Sequence, residues 1–240
     1  MRAVFIFLLF PFGARAGDGN GQLPSSDEVV AKMVERDIER QATLTGYTAS
    51  RHYVLENQRH RKRAEMVVTM TCLNDGSKRF DIVSSAGWGG VRKHVFPRLL
   101  SAEAEASQPE LRERTRIVPD NYSFTMVGVE RINGRQAFVM AIEPRTPSKY
   151  LMNGKVWVDT SEYAIVRIEG QPAKNPSFWV KSVHFVHTYA KEGQFWLPNT
   201  DISLTDARIF GETELRIEYF DYAPKTRSVT SAAPNQWSRR

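Results

Sequence analysis

The residue types that could do chemistry are thinly spread. His184 and His187 stand three apart in "VHFVH", and on an extended strand that spacing sends them to opposite faces, away from any shared metal. His52, His60 and His94 lie in unrelated segments with no acidic pattern beside them. Asp159, Glu162, Asp201 and Asp206 could in principle pair for general acid–base work, but acids near turns are ordinarily solvated. There is no G-x-S-x-G elbow, no S-x-x-K, no H-E-x-x-H and no phosphate-cradling glycine loop. Cys72 is the one cysteine, which excludes an internal disulfide and a cysteine-based zinc site. In "AEMVVTMTC" it shares a face with Met66, Val68 and Met70 and reads as a small core hydrophobe. The expectation is a protein with no catalytic residue, no metal and no cofactor. Hydrolysis by scattered residues is the weakest alternative, and loss of activity on mutating Asp159 or His184 would reveal it.

The densest charge run is "RHRKR", residues 59–63, where two strands join. It reads as a solvated turn, with contact to anionic lipid or an acidic partner as the sharper alternative. The whole chain carries +6, too little for a nucleic-acid binder. Residues 1–16 have the pattern of a secretory signal peptide: Arg2, the apolar run "AVFIFLLF" and Ala14-Arg15-Ala16 as a small-x-small cleavage site. The run is too short to span a bilayer, so the expected location is the periplasm. Cleavage removes Arg2 and Arg15 and no acid, leaving +4.

The elements that must position any site emerge from periodicity. Ser25 and Glu28 form a candidate capping box, and Val29, Val30, Met33, Val34, Ile38 and Leu44 recur at helical spacing, with Arg36, Asp37 and Arg40 on the other side and Gly46 as the stop. From Tyr47 the period is two, giving three strands in "YTASRHYVLEN", "KRAEMVVTMTCLN" and "SKRFDIVSSAG". "GWGG" breaks the pattern before a helical insert with Val95, Leu99 and Ala102 as its stripe and Pro97 as a bend, then "PELRERT". About seven strands come next, with Asn133-Gly134 and Asn153-Gly154 as hairpin signals. The reading is a single domain over 25–222 and a disordered tail over 223–240.

One hairpin, "GKVWVDTSEYAIVRIEG", is apolar on both faces. Val156 and Val158 point one way and Trp157 the other; on the return strand Tyr163 and Ile165 share one face and Val166 and Ile168 the opposite one. About ten antiparallel strands must curl or close. The fold class is therefore mainly β, a curled antiparallel sheet whose concave face is covered by helices, with inward side chains around a cavity.

These features, with "W-x-D … I-x-R … FWLP" as the most specific part, resemble the outer-membrane lipoprotein-sorting (LolA-like) proteins over residues 25–222. The resemblance implies a half-open β-barrel closed by a helical lid, holding acyl chains of lipid or lipoprotein in the periplasm, as a monomeric carrier. It also implies inner- and outer-membrane protein partners, transient contact with anionic membrane and no nucleic acid. Met66, Val68 and Met70 on an early strand, Val156 and Val158 on the hairpin, and Phe96, Leu99 and Leu100 on the lid are the expected cavity residues. Arg63 and Arg79 are the candidates for the arginine that gates the lid. The alternative is an envelope sensor or assembly module that binds a protein partner, like the periplasmic sigma-factor regulators that share the fold. Such regulators carry a second domain, for which the sequence leaves no room after residue 222.

Overall fold

The computed structural model describes residues 23–227 apart from 176, 179 and 210; the expected signal peptide and residues 228–240 of the expected tail lie outside the described residues. Helix α1, Ser26–Thr43, starts at the capping box: Ser25 accepts from the Glu28 amide while Glu28 accepts from the Ser25 amide. Its buried residues are Val29, Val30 and Met33. Two expectations for it need correction. Ile38 is exposed, because Asp37 turns inward to reach Arg40 and Arg116 at 2.8 and 3.0 Å. Nor does Gly46 end the helix. Strand β1 begins at once with Leu44, and Gly46 lies inside it at φ +137°, where a Cβ would come within 2.6 Å of the Cys72 carbonyl oxygen.

Strands β1 (Leu44–Asn57), β2 (Lys62–Cys72) and β3 (Lys78–Gly87) form a meander. A π-helical turn, Val91–Val95, then leads into α2 (Phe96–Ala106) and α3 (Pro109–Thr115). The π turn shifts the helical phase, so the buried residues of this insert are Val91, Phe96 and Leu100 rather than the expected stripe, and Val95 is exposed. Seven more strands follow among the described residues: β4 (Tyr122–Ile132), β5 (Arg135–Pro144), β6 (Met152–Asp159), β7 (Ile165–Pro172), β8 (Val180–Glu192), β9 (Phe195–Ala207) and β10 (Gly211–Thr226). The last runs past the expected boundary at 222, with Ala223 to Thr226 paired to the start of β1.

All ten strands form one antiparallel sheet in the order β3-β2-β1-β10-β9-β8-β7-β6-β5-β4. β1 pairs with the last strand, β10, so the early meander and the late one become a single curled surface, while its ends, β3 and β4, leave it unclosed. Asn133-Gly134 turns the β4–β5 hairpin with both residues at positive φ. Asn153-Gly154 does not turn the chain: both lie in β6, and a Cβ on Gly154 would sit 2.0 Å from the Glu169 carbonyl oxygen of β7. That glycine serves close backbone approach.

Three apolar clusters divide the sheet. The π turn and α2 cover the concave face of β1, β2, β9 and β10. α1 covers β4 to β7. Ala137, Val139, Trp157 and Val166 cluster on the opposite face of β5 to β7. That last cluster is what the second greasy face of the β6–β7 hairpin is for. Within this hairpin the pattern differs from strict alternation at one place: a bulge pairs Trp157 with Arg167 but Val158 with Ile165. Ile165 and Ile168 therefore pack together under α1 while Val166 turns outward.

Candidate functional site

Between the two helix-covered cores the sheet and helices leave a cavity of about 790 Å³, within the ~300–1,000 Å³ range of pockets that bury a small ligand. One wall is α1 from Met33 to Thr43 together with Ile117 and Val118 after α3. The turn Ser161 to Ala164 and Ile165 and Ile168 of β7 form another, and Tyr189 of β8 with Phe195 to Pro198 of β9 form the floor. Tyr47 and Cys72 close the side toward the lid. Apolar and aromatic groups line the interior, while Arg36, Arg40, Arg112, Arg116 and Lys78 bring cations to its walls against Asp37, Glu39 and Glu162.

Two carboxylates at this rim are held ionised by their neighbours. Burial opposes ionisation of Asp37, but Arg40 and Arg116 outweigh it and hold the carboxyl below its usual range. Glu162 behaves alike: burial raises its pKa, whereas Lys191, Trp196 and Arg135, which all donate to it, bring the net shift down. The turn itself is braced by Asp159, whose carboxylate is almost fully buried. Arg135 grips it through Nε at 2.6 Å and Nη2 at 3.0 Å, and the amides of Ser161 and Glu162 donate to Oδ1 at 2.9 and 2.8 Å. This brace holds Tyr163 at φ +53° with its ring stacked on Phe138 and Lys32 at 4.8 Å from its centroid. A second pocket of about 230 Å³, lined by Pro24, Glu28, Val29 and Lys32, lies on the far side of Tyr163.

The lid is fastened by an arginine that neither candidate supplies. Arg51 of β1 is 1% exposed and donates from Nη1 to Glu103 of α2 at 2.8 Å, and Lys78 reaches the same carboxylate oxygen at 2.9 Å. Aromatic faces of Tyr53, Phe80 and Tyr219 surround the guanidinium at 4.6 to 5.4 Å. Burial disfavours the Glu103 carboxylate, but Lys78 and Arg51 prevail and its pKa falls to about 2. Arg63 instead sits half-exposed between Glu56 and Glu65, and Arg79 is exposed on edge strand β3; neither touches α2 among the described contacts.

The eight expected cavity residues are divided between two packed cores. Met66, Val68, Met70, Phe96 and Leu100 are buried in the lid core with Leu99 at its margin. Val156 and Val158 are buried under α1. None of the eight lines the cavity. His184 and His187 do point to opposite faces, meeting Glu169 and Asp201. Asp159 and Glu162 come together through Arg135, Asp206 pairs with Lys181, and Asp201 accepts from Tyr219 Oη at 2.7 Å while His187 Nδ1 lies 2.7 Å from its other oxygen. Among the described residues no group of three His, Cys, Asp or Glu side chains is placed to hold a metal ion, and no helix is long and apolar enough to cross a membrane.

The MucB/RseB N-terminal domain matches residues 40–175, more than half of the chain. The chain belongs to the MucB/RseB family. No curated protein matches it. Among solved structures, an outer membrane lipoprotein-sorting protein domain from Vibrio parahaemolyticus is 14% identical, with 83% of this chain and 93% of that one covered and a TM-score of 0.44. A LolA superfamily protein from Nitrosomonas europaea is 8% identical, covering 85% and 94%, with a TM-score of 0.40. The MucA/MucB complex of Pseudomonas aeruginosa gives 12% identity, 82% and 99% coverage and a TM-score of 0.26. The described residues of this family member form one unclosed ten-stranded antiparallel sheet with three α-helices.

In this MucB/RseB domain the residues that sequence reasoning missed had a signal in one case and none in another. Arg51 has the parity of Ala49, Tyr53 and Leu55, all buried on the concave face; a charge on the apolar side of a strand demands a partner. Asp37, at a polar position of α1, gave no such signal, since its inward turn depends on Arg116, 79 residues away.

Proposed function

We propose that this protein is a non-enzymatic periplasmic binder of lipid or lipoprotein acyl chains, serving lipoprotein sorting between inner- and outer-membrane partners. The observation that supports this most directly is the cavity of about 790 Å³ between α1 and the sheet, apolar within and charged at its walls. Burial of each methylene there contributes about 0.8 kcal/mol, and the charged groups suit the polar end of an amphiphile. Val34, Tyr47, Ile117, Ile165, Tyr189 and Leu197 are the residues that would touch the chains. Met66, Val68, Met70, Phe96, Leu99, Leu100, Val156 and Val158 then act behind the walls, fixing the lid and α1 in place.

A second reading is favoured by the family itself. MucB has been solved with MucA, and membership of the MucB/RseB family supports an envelope sensor in which cavity occupancy is reported to a protein partner. The two readings share the cavity and diverge after binding, in delivery of the lipid or in a signal to the partner. Native mass spectrometry of the mature protein from a Gram-negative periplasm, with extraction and identification of bound lipid, tests the shared step. Bound acyl lipid that is lost in a folded Ile117→Glu variant is the expected result. A clean apo mass together with no binding of a fluorescent fatty acid would move the assignment to a module that binds protein alone.

A further inference from the structure

The "RHRKR" run is not an isolated turn. Antiparallel pairing brings the β1–β2 turn, the end of β3, the β9–β10 turn and the start of β8 to one end of the sheet, as the partners Asn57 with Lys62 and Thr213, Ala64 with Gly87, and Ala207 with Gly211 and Val180 require. The turns also touch. The Trp88 amide donates to the Arg63 carbonyl at 2.8 Å, Trp88 and His60 rings lie 6.1 Å apart, and Arg59 donates to the Ile209 carbonyl at 3.0 Å. Arg208 in turn donates to the Phe178 carbonyl at 2.9 Å.

This end is cationic and greasy together. Arg59, Arg61, Lys62, Arg92 and Lys93 are exposed, and none has a carboxylate partner among the described residues. The segments 58–64 and 88–102 contain no acid. The nearby carboxylates Glu56 and Glu65 are engaged by Arg63, Asp206 is engaged by Lys181, and Glu212 is exposed at the start of β10. Val95, Phe178 and Ile209 stand among these cations at 42, 73 and 56% exposure.

We infer that this end of the sheet is a docking face for an anionic phospholipid membrane. Cations attract the headgroup layer, and protruding apolar side chains on turns enter it. An acidic protein partner would meet the same charges, but turn tips bearing Val95, Phe178 and Ile209 offer it no groove, whereas a bilayer interface needs none. None of these residues lines the cavity, so the inference stands apart from what the cavity binds. The face also carries the root of the lid, since the π turn leads directly into α2.

The test is flotation of the full mature chain with phosphatidylcholine vesicles, with and without phosphatidylglycerol, at low and high salt. Binding that requires phosphatidylglycerol and weakens with salt is expected. The variant R59Q/K62Q/R92Q/K93Q should lose at least ~100-fold in affinity, since each cation near such a surface contributes about fivefold (~1 kcal/mol). Arg131→Gln, at an exposed cation near the end of β4, should change it little. If the quadruple variant misfolds, R59Q/K62Q and R92Q/K93Q are measured separately, each expected to lose ~25-fold. No binding at low salt, equal binding without phosphatidylglycerol, or a loss no larger than that of Arg131→Gln would overturn the assignment. So would binding to polyglutamate in place of vesicles, which would give the face to an acidic protein.

Discussion

Replacing Glu103, which does not itself line the cavity, by Gln should release the lid. Arg51 is 1% exposed and has no other carboxylate within ion-pair distance among the described residues. Its charge would remain buried against the rings of Tyr53, Phe80 and Tyr219. Stranding one member of a buried pair costs about 3–5 kcal/mol, and the ring faces that Arg51 keeps place the expectation at the low end, about 3 kcal/mol. The displacement of the Glu103 pKa from 4.5 to about 2, caused by Lys78 and Arg51 together, is of the same scale, roughly 3.5 kcal/mol at ~1.4 kcal/mol per pH unit. For a domain of this size that is a fall in Tm of about 6–12 °C. Because the folded pKa is depressed, the contribution is complete above pH 5 and disappears as pH falls toward 2. Wild type and Glu103→Gln should therefore differ in urea denaturation at pH 7 and converge near pH 2. Replacing both members, R51M/E103Q, should recover at least half of the loss, since it removes the buried charge that the single variant strands. Amide exchange across α2 should speed up in Glu103→Gln alone. A Tm within 1 °C of wild type at pH 7, or a double variant no more stable than the single, would refute the latch.

Asp159→Asn should cost about 2–3 kcal/mol in denaturant titrations, because the Arg135 grip weakens and one amide acceptor at the turn loses its charge. An unchanged midpoint would remove the brace from the account. Gly154→Ala should give little soluble folded protein, since its Cβ meets the Glu169 carbonyl at 2.0 Å; a well-folded variant by circular dichroism would contradict the close approach of β6 and β7. Val68→Glu should unfold the protein, Val68 being buried in the lid core, whereas Ile117→Glu, at the cavity wall, should keep its Tm within a few degrees and lose fatty-acid binding. The opposite pattern would return the ligand contacts to β2.

Much of the fold was legible because local chemistry and period agree. The capping box at Ser25, the Asn133-Gly134 turn and the three alternating strands after α1 all stand where the residues place them. Elsewhere a local irregularity changes the phase. The π turn at Val91–Val95 moves the lid stripe to Phe96 and Leu100, and the bulge beside Val158 separates Val166 from Ile168. The candidate site was less legible for a different reason. Val68 and Val156 are apolar because they are core, and the same composition would line a cavity. Which apolar residues stay uncovered depends on how far α1 and α2 stand apart on the sheet, and no spacing along the chain encodes that gap. For Arg51 a signal exists in its parity with Ala49, Tyr53 and Leu55, although the candidates named from the sequence are Arg63 and Arg79.

The central claim is that acyl chains lie between α1 and the sheet, and a photoreactive fatty acid bearing a diazirine tests it most directly. After irradiation and peptide mapping, labels should fall on residues 33–43, 116–118, 163–168 and 189–198, which surround the cavity. Labels confined to 66–70 and 96–100, or labelling that unlabelled fatty acid does not compete away, would contradict it.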